Sequence, residues 1–156
     1  MPHISAMQFS NPLLPGVLIK RYKRFLADIR LDDGCEVTAH CANSGAMLGI
    51  KEPGLKVWVS KAPPESKGKL GYRWELVVEK DGTLVGANTS HPNKLLEEAW
   101  YAGKLGDLNQ YTDLKREVKY GKNSRVDILL THKDNALPPC YVEVKNVHLC
   151  RTKGLA

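Results

Sequence analysis

The sequence contains no uninterrupted apolar run of about 18 residues, the length a helix needs to cross a bilayer, so no transmembrane segment is expected. Residues 1–16 lack the basic-then-apolar layout of a secretory signal peptide. No C-x-x-C pair occurs among Cys35, Cys41, Cys140 and Cys150, and no histidine stands at zinc-ligand spacing from them. Reduced thiols in a cytoplasmic protein are therefore expected. No internal repeat or low-complexity tract is present. What remains is an ordinary globular composition, with 42% hydrophobic and 26% charged residues, enough apolar material for a core. At 156 residues, that means one domain or two small ones. Lys and Arg outnumber Asp and Glu 23 to 17, for a net charge of +6. An excess of that sign favours polyanionic partners, DNA among them, because basic side chains that neutralise phosphates release condensed counterions.

The first half reads as short strands separated by turns. Residues 18–31 mix apolar and basic side chains, and Asp32-Asp33-Gly34 supplies a turn. Residues 36–41 alternate, with Val37, Ala39 and Cys41 on one face and Thr38 and His40 on the other, which predicts a hairpin. Further strands are expected over 55–60, over 72–79 through Trp74, Leu76 and Val78, and over 84–87 after the Asp81-Gly82 turn. Residues 62–71 read as a loop. Strands at this spacing suggest a small barrel. The character changes near residues 85–90. Residues 90–105 carry Leu95, Leu96, Ala99 and Trp100 at helical spacing, with Ser90 or Asn93 as the expected cap. A second short helix is expected over 112–117, then strands over 125–131 and 141–149.

Two constellations carry chemistry. Asp127 is followed sixteen positions later by Glu143-Val144-Lys145. Period two puts Glu143 and Lys145 on one strand face, and a hairpin would bring Asp127 beside them. Two carboxylates so placed suit a hard divalent cation such as Mg²⁺. The ion would polarise a phosphate while Lys145 orients water or stabilises developing charge. Asp…Glu-x-Lys is the core of the PD-(D/E)XK nucleases; the bland alternative is a solvated strand face. Glu98 on the preceding helix is the expected third carboxylate, with Glu117 a second candidate and an exposed helix pair with Lys94 the bland alternative, and Asp127→Ala is expected to leave the fold largely intact. The second constellation is Lys20-Arg21-Tyr22-Lys23-Arg24-Phe25, where cations interleave with rings as nucleic-acid binding requires. On a continuous strand, Lys20, Tyr22 and Arg24 would share a face; the alternative is a charge-protected edge strand. Asn43-Ser44-Gly45 reads as a turn, and His40, His91 and His148 as structural or surface residues.

Taken together, residues 21–28, 40–47, 88–89, 117–121, 124–127 and 141–147 resemble the sugar fermentation stimulation protein A family in order and spacing across residues 7–149. The resemblance implies an α+β protein. An N-terminal OB-like β-barrel over 1–86 would bind nucleic acid, and an incomplete PD-(D/E)XK nuclease-like α/β domain would fill 87–156. It further implies a DNA-binding protein linked by name to sugar metabolism. Asp127, Glu143 and Lys145 would be the nuclease-like site, with Glu98, and Asp127 and Glu143 the metal ligands. The basic run from Lys20 through Arg24 would contact DNA. Family members continue well past the Glu-x-Lys strand, whereas here the motif resemblance fades after Leu149. The chain is therefore expected to lack elements that cover its second sheet, and to bind DNA without cleaving it.

Overall fold

A computed structural model of the chain describes residues 8–66 and 68–148. Two compact units divide it, Phe9–Thr89 with residues 147–148, and Ser90–Asn146.

The first unit is built from β1 (Leu14–Tyr22), β2 (Leu26–Leu31), β3 (Glu36–His40), β4 (Lys56–Lys61), β5 (Tyr72–Val78) and β6 (Leu84–Gly86). Antiparallel ladders run β3-β2-β1-β4-β5-β6, and a short parallel pairing of Ala39 with Tyr72 and His40 with Arg73 joins β3 to β5. Strands β1 to β5 thus form a closed barrel, which leaves few unpaired edges. This is the expected OB-like architecture. Leu18, Ile29, Val57, Val59, Trp74 and Val77 fill its interior. At Gly16, β1 passes close to β2: a Cβ there would stand 2.6 Å from the Arg30 carbonyl oxygen. The sequence pattern places Trp74, Leu76 and Val78 on one face, but the structure buries Trp74, Glu75 and Val77. An irregularity between Trp58 and Val59 shifts the β4–β5 register and reverses the parity. Glu75 is tolerated inside because Ser60 donates to its Oε1 at 2.6 Å and Asn88 to its Oε2 at 2.8 Å.

Residues 18–31 are not one continuous strand. Tyr22 pairs with Leu26, and Lys23 and Arg24 turn the chain with φ of 49° and 64°. Asn43 closes the turn that follows β3, its Oδ1 accepting the Gly45 N–H at 2.9 Å. His148 Nε2 lies 2.6 Å from the Gly86 carbonyl oxygen and its Nδ1 3.4 Å from Asn43 Nδ2.

The second unit holds α1 (Pro92–Tyr101), a 3₁₀ turn over Gly106–Gln110, and a sheet of β7 (Asp113–Tyr120), β8 (Ser124–Thr131) and β9 (Cys140–Val142). Helix α1 starts with Pro92 in its first turn and without a side-chain cap; Asn93 is engaged elsewhere. It stops four residues earlier than the apolar pattern suggests. Gly103, at φ 69°, closes it: the Gly103 N–H donates to Trp100 and the Lys104 N–H to Ala99, a Schellman pair. Leu96 and Trp100 pack against Ile128 and Leu130, whereas Leu95 is exposed. Residues 112–117 are not helical. Leu114, Arg116 and Val118 pair with Leu130, Ile128 and Val126 on β8, so β7 is held by its ladder, and Glu117 takes φ 54° without shifting the register. The expected strand over 141–149 is laddered only at Cys140–Val142. Leu149 and the 150–156 tail lie outside the described residues.

Candidate functional site

Among the described residues, each unit has a place that gathers chemistry-bearing side chains. In the barrel, the end of β1 and the turn into β2 form one wall of an open groove of about 430 Å³. Lys20, Arg21, Tyr22, Lys23 and Arg24 line it together with Lys51, Glu52 and Pro53. All five residues of the basic run therefore meet in one groove. Lys51 joins them from a separate loop, and only the folded topology shows it to be a neighbour.

The roles within the groove differ. The Arg21 guanidinium is turned to the backbone. Its Nη2 donates to the carbonyls of Arg24 at 2.7 Å, Asn43 at 2.7 Å and Gly45 at 2.9 Å, and its Nε donates to Arg24 at 3.1 Å. A longer bond from Nη1 reaches Ala46 at 3.5 Å. Arg21 thus ties the Lys23–Arg24 turn to the loop after β3. It contributes charge to the groove while most of its donor fork is spent on protein. Those bonds hold Lys23 and Arg24 in a left-handed backbone that non-glycine residues occupy only when their surroundings demand it. Lys20 stands 3.4 Å from Asp28 and 5.1 Å above the Tyr22 ring. Asp28 also accepts from Thr38 at 2.8 Å and from the Tyr22 hydroxyl at 3.1 Å. Partial burial pushes the Asp28 carboxyl upward. The bonds from Thr38, Tyr22 and Lys20, with the Lys20 charge, outweigh it and hold the group below its ordinary value. Tyr22 is therefore a fixed ring. Lys23, Arg24 and Lys51 have no ion-pair partner recorded among the described residues.

In the second unit, β8 and β9 pair through Leu130–Cys140, Leu129–Tyr141 and Ile128–Val142. The next register position sets Asp127 opposite Glu143, and there the backbone ladder stops. The Asp127 carboxylate replaces it, with Oδ2 accepting the Val144 N–H at 2.7 Å and Oδ1 accepting from Asn93 of α1 at 3.1 Å. Lys145 donates to Glu143 at 2.6 Å. That bond, the Glu143 charge and, more weakly, the Asp127 charge push the Lys145 ammonium above its ordinary value. Asp127, Glu143 and Lys145 are thus neighbours. Glu98 does not join them: among the described residues no group of three or more acidic, His or Cys side chains is placed to hold a metal ion. The helix contributes Asn93 instead, a residue whose sequence context reads as a cap. Glu97 pairs with Arg116 at 3.2 Å, and Glu117 with Arg125 at 3.6 Å.

Two family profiles match the chain in succession: an SfsA N-terminal OB domain over residues 19–87, and a sugar fermentation stimulation protein RE domain over residues 90–156. The chain belongs to the sugar fermentation stimulation protein family. The second match runs to residue 156, past the point where the motif resemblance fades. A sugar fermentation stimulation protein homolog of Paramagnetospirillum magneticum is 57% identical over 145 residues, covering 93% of this chain and 60% of that one. The homolog of Maricaulis maris is also 57% identical, over 150 residues, covering 96% of this chain and 62% of the other. The chain thus spans about three fifths of the length of these relatives. A solved structure of SfsA from Pyrococcus furiosus, described as a complex with Ca²⁺, superposes with a TM-score of 0.71 at 25% identity. It covers 88% of this chain, which in turn covers 55% of the archaeal one. No described helix of this family member is long and apolar enough to cross a membrane.

Proposed function

We propose that this SfsA-family chain binds DNA through phosphate contacts in the barrel groove, largely without regard to sequence. The groove itself carries the reading: Lys20, Lys23, Arg24 and Lys51 come from two segments of the chain to one open surface. Cations so arranged track a phosphate backbone, and OB folds commonly use the loop between strands 1 and 2 for nucleic acid. The one guanidinium held rigidly, Arg21, points at carbonyls and so offers no fixed fork to a base edge. Any regulatory role in sugar metabolism, of the kind the relatives' name describes, would rest on this binding. Competition among unrelated duplexes of equal length tests the reading. Their affinities should agree within a few-fold; one sequence favoured by about a thousand-fold, the scale of specific recognition, would refute it.

A second reading concerns Asp127, Glu143 and Lys145, and rests on their adjacency together with the Ca²⁺ in the name of the archaeal structure. The donor set fits a hard divalent ion held by two carboxylates and several waters. Asp127 keeps a lone pair on each oxygen beyond its bonds to Val144 and Asn93, and Glu143 would exchange Lys145 for the ion. A Mg²⁺ bound there would supply Lewis-acid polarisation of a phosphate and a more acidic water. From the chain's own side, Asn93 and the Val144 N–H orient Asp127, and Lys145 holds a proton-bearing cation beside it. Calorimetric titration with Mg²⁺ or Ca²⁺ should show binding that Asp127→Asn and Glu143→Gln each abolish. Identical titrations in wild type and both variants would remove the metal from this site.

A further inference from the structure

Phe25 follows the basic turn directly, and its side chain is 52% exposed. Exposed phenylalanines are common, but the backbone of this one is fixed. The Phe25 carbonyl accepts the Cys41 N–H at 2.8 Å, and the next residue, Leu26, is paired on one side with Tyr22 and on the other with His40. On the preceding side, Arg21 holds the Arg24 carbonyl. The backbone that carries the exposed ring is thus tied down on both sides. Among the described residues it has neither a ring nor a cation as partner, whereas the Tyr22 ring is engaged by Lys20 and its hydroxyl by Asp28.

We infer that the ligand class of this groove is single-stranded nucleic acid, with one base stacked on Phe25 and the adjoining phosphates on Lys20, Lys23, Arg24 and Lys51. This rests on the phosphate-binding reading above and narrows it. A duplex turns its base faces against one another and offers a protein only edges and backbone. Phe25 is not among the residues that line the groove, but it follows Arg24 directly in the chain, so a strand whose phosphates track the groove can pass its exposed ring and stack a base there, and every base has a face to offer. Arg21 acts here as a positioning residue that keeps the turn and the ring in place without itself gripping phosphate.

The test compares three ligands of equal phosphate number: an oligothymidylate, the same strand without bases, and a duplex. Binding is followed by fluorescence anisotropy. The oligothymidylate should bind tightest to the wild type. Phe25→Ala should weaken it by about 5- to 150-fold, the range for losing one base–aromatic stack, and leave the baseless strand unchanged. Phe25→Tyr, which keeps a ring, should behave as wild type. The inference is overturned if the duplex binds tightest, if Phe25→Ala leaves the oligothymidylate unaffected, or if it weakens both strands equally. Absence of salt-dependent binding to all three would overturn the phosphate reading itself, and this inference with it.

Discussion

At the scale of single residues, the barrel groove shows how one basic run divides its labour. Lys23 and Arg24 point charge outward from a left-handed turn, and Arg21, two and three positions earlier, holds that turn in place. Arg21→Lys keeps the charge but loses the planar fork that bonds several carbonyls at once. The variant should lose about 1.5–3 kcal/mol in urea unfolding, the scale of hydrogen bonds from a charged group. Trypsin should then cut faster after Lys23 and Arg24; an unchanged midpoint and cleavage rate would show that the fork does not hold the turn. Asp28 makes a prediction about pH. Its folded-state pKa is depressed, so its contribution to stability is present above the unfolded value of about 3.9 and lost as pH falls through the lower folded value. The stability gap between wild type and Asp28→Asn should be constant near neutrality and shrink as pH drops below about 4. A gap that widens in acid would contradict the assignment.

At the scale of elements, close approach and ladder ends decide what the strands tolerate. Gly16→Ala places a methyl against the Arg30 backbone and should cost about 1–3 kcal/mol, as overpacking does; a neutral variant in thermal unfolding would mean that β1 and β2 can part freely. Asp127 takes over where the β8–β9 ladder stops, so Asp127→Ala leaves the Val144 N–H and the Asn93 amide without their acceptor. The sequence led us to expect little effect on folding from this change. The structure predicts instead a loss of about 1–3 kcal/mol, confined to the second unit, with Asp127→Asn milder because one acceptor oxygen remains. Hydrogen exchange at Val144 and Val142 reads it directly: fast exchange in the alanine variant is expected, and unchanged protection would make Asp127 structurally idle. The same features mark where sequence reading succeeds and stops. The β2–β3 and β5–β6 hairpins, helix α1 and β8 were legible because turn residues and periodicity agree. The β1–β2 turn was not, since Lys23 and Arg24 carry none of the glycine or asparagine that usually marks φ > 0. The short helix expected over 112–117 is instead the first part of β7, whose few apolar residues give no clear period of two, and pairing with β8 decides its conformation. The adjacency of Asp127, Glu143 and Lys145 follows from strand parity, but Asn93, like Lys51 in the groove, is brought in by tertiary contacts that leave no local pattern.

For the whole molecule, a net charge of +6 says only that polyanions are favoured; the fold gives that excess a place. Lys20, Lys23, Arg24 and Lys51 meet in one groove of a closed barrel whose family profile is an OB domain. The direct measurement is DNA affinity as a function of salt, for wild type and for the variant with alanine at those four positions. A log–log plot for the wild type should fall with a slope of about −0.7 to −0.9 for each phosphate neutralised, the lower figure holding for single strands. The quadruple variant should bind more weakly and with a slope shallower by about 3, one contact per lost cation. The barrel should remain folded, since Lys20, Lys23 and Arg24 are exposed and Lys51 is half-buried, outside the packed interior. A wild-type affinity indifferent to salt, or a quadruple variant with the wild-type slope, would contradict the account.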